Sequence, residues 1–293
     1  MVSRAAAFSG CLRAQASDFL RDGFVLIRKG EHTRLEDVNS LNDQVVRYSQ
    51  SIQSSLKYKL WRFFNSVDSS SNRHSIPLHV GVSPLLLPVL GSSVASISGF
   101  LQTLFTHPSA PLVELSALIS YPNSKQQTVH SDIKYSSKET SHIISGFIAL
   151  CDITIDNGPT HLHASTHTQS FHEWRIRESR SKSVSYSSDG SAETDEEIIN
   201  ALDQRGSIPS AADDSDDIAS RLPLRALLSA GDMLIFDTKL FHFGGANVSS
   251  SPRALLCFAF QGGDVGAKVE GFTYHCHESI VDMKATLASF EQR

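Results

Sequence analysis

Between Leu112 and Gln261 the chain carries a series of short apolar runs, rich in β-branched and aromatic residues and punctuated by glycine, proline and asparagine. Leu115 to Tyr121, Thr128 to Ile133, Ile143 to Ile155, Met233 to Phe236 and Arg253 to Gln261 are the strongest of them. Runs this short do not make ordinary helices, and several of them joined by turn residues close most readily as an antiparallel sandwich or barrel. The first third of the chain has a different period. Val38, Leu41, Val45, Ile52, Leu56, Leu60 and Phe63 or Phe64 recur at helical spacing, which predicts one long amphipathic helix or two in tandem. Ser83-Pro84 supplies a cap and a first-turn proline for a second apolar helix ending near Phe105. Asp22-Gly23 turns the chain into a strand of Phe24 to Ile27. Helices at one end of the sequence and strands along the rest predict an α+β fold with a mainly β core, a jelly roll braced by N-terminal helices.

A chain of 293 residues can bury a sizeable core, and no linker interrupts it before residue 170, so a single domain over 1–293 is expected. Residues 177–222 differ in kind. They are serine-rich and acidic, with Glu193, Asp195, Glu196, Glu197, Asp213, Asp214, Asp216 and Asp217, and they hold few aromatics. Such a stretch cannot bury enough apolar surface to order itself, which predicts a flexible insertion with at most a short helix around Glu196 to Leu202. Either a lid over a site or a solvated excursion fits it. A closing helix is expected over Glu278 to Phe290. A formal charge of -5 argues against nucleic acid as a partner, and no run reaches the ~20 apolar residues of a membrane helix. A small-molecule substrate is the expected partner. Four cysteines without a paired spacing suit a reducing compartment. The cytoplasm is the expected location, with a mitochondrial leader as the alternative suggested by Arg4 and Arg13 ahead of the first acid, Asp18.

The chemistry begins at Gln127-Thr-Val-His130-Ser-Asp132. In extended backbone, side chains at i and i+2 leave the same face, so His130 and Asp132 would point together. Alone the pair says little in a chain with 13 histidines. The second block, Gly231-Asp-Met-Leu-Ile-Phe-Asp-Thr-Lys-Leu-Phe-His242-Phe-Gly244-Gly245-Ala-Asn247, offers a turn, a buried strand and a further imidazole, His242. Two histidines and one carboxylate on one face of an octahedral ion, with the remaining positions open, is the ligand set of non-haem Fe(II) oxygenases. Arg253 then opens an apolar strand. A guanidinium entering a core strand is costly unless it meets an anion, and its planar fork suits a carboxylate, either an internal acid or that of a bound molecule.

Together with Asp22-Gly23-Phe24-Val25 and the turn Asn157-Gly158-Pro159-Thr160 running to His167, these pieces resemble the phytanoyl-CoA dioxygenase family of Fe(II)/2-oxoglutarate oxygenases. Their order and spacing span most of the chain outside the acidic insertion. The resemblance implies a double-stranded β-helix holding Fe(II) through His130, Asp132 and His242. It also implies that Arg253 grips the distal carboxylate of 2-oxoglutarate. Gln127, three residues before His130, is a further candidate for a co-substrate contact, and a plain strand hydrogen bond explains it equally well. The reaction it implies uses O2, releases succinate and CO2, and hydroxylates a C–H bond of a small organic or acyl substrate. Relatives that halogenate replace the aspartate with a small residue, so retention of Asp132 points to hydroxylation. The chain departs from the family pattern at Ala164-Ser165, where a proline and a glycine are usual, and at Gly244, which offers no hydroxyl beside Arg253.

Two other readings stay open on the residues alone. His161, His163 and His167 suggest a zinc-dependent hydrolase, although no aspartate precedes the last histidine as a metallo-hydrolase signature needs. A non-catalytic jelly-roll binding protein is the other. His275 and His277 flank Cys276 but have few ligand-type neighbours in sequence, which places them at the surface.

Overall fold

The structure, a computed structural model, describes residues 14–53, 55, 72–105, 109–133, 141–183, 222–263, 268–269 and 271–290. After a leading helix over residues 14–22 come β1 (Phe24–Ile27), α1 (Leu35–Ile52), β2 (Arg73–Pro77), α2 (Leu86–Leu104), β3 (Leu112–Ser120) and β4 (Ser141–Ala149). They are followed by β5 (Thr160–Leu162), α3 (Gln169–Ser183), β6 (Leu224–Ala226), β7 (Met233–Asp237), β8 (His242–Gly244), β9 (Arg253–Gly263), α4 (Glu278–Val281) and a 3-10 turn, Leu287–Phe290. Six strands form a large sheet in the order β1-β7-β4-β9-β3-β2, and three form a small sheet, β6-β5-β8, with every pairing antiparallel. The two sheets and the bracing helices make the jelly roll expected from the sequence.

The large sheet is buried on both faces, and the strands read accordingly. In β9, Ala254, Leu256, Phe258 and Phe260 join Leu115, Ala117 and Ile119 of β3 against Val38, Leu41 and Val45 of α1 and Leu86, Val89, Leu90 and Val94 of α2. The alternate residues Leu255 and Cys257 face inward, where Leu118, Ala149, Leu234 and Phe236 meet Leu162 and Ala226 of the small sheet. Two covered faces remove the polar half of the β alternation, so β9 is a near-continuous apolar run in sequence. By length and composition α2 could also span a membrane, but half of its apolar window is buried within this fold.

The turn at Gly231-Asp232 is built as the sequence predicts. Gly231 takes φ +89, and the Asp232 carboxylate accepts from the backbone N–H of Lys29 and of Ser229, which ties β1 to the start of β7. Ser83 places its hydroxyl on the N–H of Leu85 ahead of α2.

Four expectations need correction. Thr128 to Ile133 is not a strand; it runs as irregular backbone with an isolated bridge at His130 and a bend at Asp132. The run Ile143 to Ile155 is a strand only as far as Ala149, with an isolated bridge from Ile153 to Leu228 beyond it, because Asn157 accepts from the N–H of Thr154 and donates to the carbonyl of Asp152, curling the chain into a loop. Residues 177–183 continue α3 rather than opening a loop. The closing helix is two short pieces, α4 and the 3-10 turn, with Lys284 in left-handed backbone between them. The rest of the acidic insertion, with the helix expected at Glu196 to Leu202, and Leu56, Leu60, Phe63 and Phe64 lie outside the described residues.

Gly146 shows how tightly the helix-facing layer is packed. It pairs with Phe258 across β4 and β9, and a Cβ on it would come within 2.2 Å of that buried ring. Gly146→Ala is expected to lower stability by about 1–3 kcal/mol through overpacking, read as a shift in the midpoint of urea unfolding.

Candidate metal centre

The site is made by a backbone exchange. His130 N–H donates to the carbonyl of His242 at 3.0 Å, and His242 N–H donates to that of His130 at 2.8 Å. Two flanking contacts hold the pair in register. Gln127 N–H donates to the Gly244 carbonyl at 2.9 Å, and its side-chain Oε1 accepts from Gly244 N–H at 2.9 Å. Beyond His130 the chain turns away from β8, and Asp132 N–H donates to the Thr238 carbonyl at 2.9 Å. Thr238 is itself bound through N–H and hydroxyl to the Ile143 carbonyl of β4. Asp132 is thus carried back toward His130 and His242 by a bend, not by the flat pleat that the i, i+2 argument assumes.

Both imidazoles have their tautomer fixed. Nδ1 of His130 lies 2.8 Å from the Thr128 carbonyl, and Nδ1 of His242 lies 2.9 Å from the Leu240 carbonyl. A carbonyl only accepts, so each Nδ1 carries the proton and each Nε2 presents a lone pair. The two Nε2 atoms are 3.9 and 3.7 Å from Asp132 Oδ1. One ligand atom from each of the three residues falls within 4.8 Å of the others. Ligands at about 2.1 Å from an ion and at right angles to one another stand about 3 Å apart, so small side-chain rotations would close this set on a metal. Burial lowers the proton affinity of His242, with His130 acting in the same sense and Asp132 against it, which keeps its ring neutral and able to ligate. The His130 and Asp132 side chains are 23% and 28% exposed, so one side of the triad is open. Among the described residues this is the group that can hold a metal ion.

Arg253 lies fully inside. Its Nη2 donates to the Gly158 carbonyl at 2.7 Å, while Nε and Nη1 are buried without a hydrogen-bond partner. Among the described residues no carboxylate pairs with it, and burial pushes the guanidinium down to about 10, still protonated at neutral pH. A buried cation with two idle donors is a receptor for an anion such as a carboxylate. Gly158 adjoins the loop after His242, since a Cβ on it would stand 2.5 Å from the Gly245 carbonyl.

The sequence reading missed Arg73. It pairs with Ser120 of β3, which pairs on its other side with Arg253, so two guanidinium groups leave one face of the sheet in one row. Arg73 donates to Ser120 Oγ at 2.8 Å and to the carbonyls of Gly244 and Gly245 at 3.3 and 2.7 Å. It therefore pins the strand that carries His242. A Cβ at Gly244 would meet Arg73 Nη1 at 2.5 Å and Gln127 Oε1 at 2.6 Å, which explains the missing hydroxyl at that position. The only trace in the sequence was a charged residue entering Arg73-His-Ser-Ile-Pro77, too short a run to read as a strand.

The rival histidines are not brought together. His161 stacks on Phe243 with centroids 4.4 Å apart and contacts the Pro159 carbonyl through Nδ1, while His167 lies in the field of Asp237. They form no ligand cluster with His163. His277 caps α4, accepting from Ser279 N–H. His275 is not at the surface; its side chain is 14% exposed and lies 4.0 Å from Glu114.

The family model described as phytanoyl-CoA dioxygenase matches residues 19–255. No curated protein matches the sequence. Among solved structures, the non-heme alpha ketoglutarate dependent carbocyclase SnoK from nogalamycin biosynthesis is 14% identical, with a TM-score of 0.58 over 94% of this chain and 91% of that one. The epimerase SnoN, in complex with Fe3+, alpha ketoglutarate and nogalamycin RO, is 13% identical, with a TM-score of 0.54 over 92% and 98%. HygX from Streptomyces hygroscopicus, with nickel and 2-oxoglutarate bound, is 16% identical, with a TM-score of 0.50 over 92% and 98%. At these identities the likeness is one of fold.

Arg73→Met is expected to weaken divalent-metal binding by about 10- to 100-fold, as loss of a group that orients ligands does, while leaving the far-UV circular dichroism unchanged. Titration of the purified variant with Co(II), followed by its visible absorption, checks this.

Proposed function

The chain belongs to the phytanoyl-CoA dioxygenase family, and on that footing we propose that it is an Fe(II)- and 2-oxoglutarate-dependent oxygenase that hydroxylates a C–H bond of a small organic or acyl substrate. The observation that carries the reading is the pairing of two features in one interior. Three ligand atoms converge from His130, Asp132 and His242, and a buried guanidinium waits nearby with two donors unused. A zinc hydrolase has no comparable cluster at His161, His163 and His167, and a plain binding protein has no use for paired, tautomer-fixed imidazoles.

His130, Asp132 and His242 would hold the iron, and Arg253 would take the distal carboxylate of 2-oxoglutarate. With O2, the bound iron and co-substrate supply an oxidant able to break a C–H bond, with succinate and CO2 as by-products. The chain's own residues do the rest. The carbonyls of Thr128 and Leu240 keep Nε2 of each histidine unprotonated and aimed inward. Asp132 adds a hard anionic ligand suited to Fe(II). Phe236, packed on His242 with centroids 4.9 Å apart, and the apolar layer of Leu118, Leu162, Leu234 and Leu255 keep water from the buried side. The exposed edges of His130 and Asp132 leave the opposite side for a substrate. Presence of Asp132 supports hydroxylation over halogenation, because the carboxylate fills the position a halide would need.

Anaerobic addition of Fe(II) and 2-oxoglutarate is expected to give a weak visible charge-transfer band, and His242→Ala is expected to abolish it. Zinc retained at full occupancy with no band would overturn the reading. Arg253→Gln is expected to raise the 2-oxoglutarate concentration for half-maximal band intensity by about 30-fold or more, the effect of leaving a buried carboxylate without its cation. In turnover, succinate release should accompany a product that has gained one oxygen atom. A product that has lost hydrogen without gaining oxygen would replace hydroxylation with a cyclisation or desaturation.

A further inference from the structure

The inward face of the large sheet is polar at both ends. Arg73, Ser120 and Arg253 make the cationic end. Following β3 the other way, the same face passes Leu118 and Ser116 and reaches Glu114. Register places Glu114 beside Ala259, Ala259 beside Ser145, and Ser145 beside Phe236. Phe236 is the ring on which His242 packs. Glu114 therefore lies in the row that borders the metal centre, at the end away from Arg253, and the reading above gives it nothing to do.

Its setting is unusual for a carboxyl group. The side chain is 15% exposed and takes one hydrogen bond, from Ser116 Oγ at 2.8 Å. Nδ1 of His275 stands 4.0 Å away, too far for a direct hydrogen bond. His275 is held there because its carbonyl accepts from Leu115 N–H at 3.0 Å. Among the described residues no lysine or arginine pairs with Glu114. Burial pushes its carboxyl up to about 7, the charge of Asp132 adds to this, and the Ser116 hydrogen bond opposes it. Burial lowers the proton affinity of His275, and the charge of Asp132 acts against this.

An apolar and aromatic cluster adjoins these groups. Val269, Phe272 and Tyr274 pack with Ile133, Ile143 and Ala259, and Ile133 directly follows Asp132. Phe272 and Tyr274 meet edge to face with centroids 5.1 Å apart. Ala259 of this cluster pairs with Glu114 across β3 and β9, so the cluster adjoins Glu114 at one end and Asp132 at the other.

Resting on the oxygenase reading, we infer that Glu114, supported by Ser116 and His275, is the substrate-recognition pole of this site and takes a protonated amine, with the substrate's apolar body lying along Phe272 and Tyr274. A buried carboxylate with a single hydroxyl donor is costly to keep ionised, and a cation brought by the substrate supplies the missing partner. An anionic substrate group would face both Glu114 and Asp132. A neutral hydroxyl can hydrogen-bond there but does not offset the buried charge.

Three probes of matched apolar body separate these cases: phenethylamine, 2-phenylethanol and phenylacetate. Their binding is measured by calorimetry on the metal-free protein and by perturbation of the Fe(II)/2-oxoglutarate band. Phenethylamine is expected to bind about tenfold or more tighter than 2-phenylethanol, with phenylacetate weakest. Glu114→Gln should erase the preference while the band still forms, and Glu114→Asp should keep the ranking. Equal binding of the three probes to the unaltered protein overturns the inference, whether or not the variants fold, and so does an amine preference that survives Glu114→Gln. A missing band with the amine preference intact would retire the oxygenase reading and leave Glu114 as an amine site.

Discussion

Everything in this site depends on one pair of backbone hydrogen bonds, exchanged between His130 and His242. The two residues are far apart in sequence, and no regular strand contains both. The exchange sets their rings 4.6 Å apart and lets each Nδ1 reach the carbonyl two residues before it. Once those protons are committed, the Nε2 lone pairs have only one direction to face. Asp132 completes the set because its own N–H is tied to Thr238, and through Thr238 to β4.

The large sheet then organises the chemistry by row. Its helix-facing side is a packed apolar layer, and its inward side is graded from two arginines at one end to a carboxyl group at the other. Each buried charge is handled differently. Arg73 is consumed by structure, donating to the carbonyls that follow His242. Arg253 is only partly satisfied, and Glu114 has one hydroxyl. In a low-dielectric interior an incompletely satisfied charge is expensive, and a bound molecule of opposite sign is the natural means of offsetting it.

Several parts of this arrangement are legible in the sequence. The apolar runs of β3, β4, β7 and β9 carry enough branched and aromatic residues to declare themselves, and Gly231-Asp232 marks its own turn. His130, Asp132, His242 and Arg253 stood out because a polar residue in or beside a core strand calls for a reason. The three short strands β2, β5 and β6 did not stand out, because three to five residues carry too little periodicity. Arg73 was hidden with β2. His275 read as a surface residue because its neighbours His277 and Cys276 suggested an exposed cluster, whereas the chain folds it beside β3.

By itself the sequence determined the jelly-roll class, the ligand types and the guanidinium, since these follow from hydrophobic pattern and from the chemistry of single side chains. Only the tertiary structure decided how they meet. It replaced the expected strand at His130 to Asp132 with a bend, excluded His161, His163 and His167 from a common site, and put Arg73 and Arg253 on either side of Ser120. The physical reason is that register and long-range pairing are set by the whole packed sheet, while a local pattern records only which faces of a segment are buried.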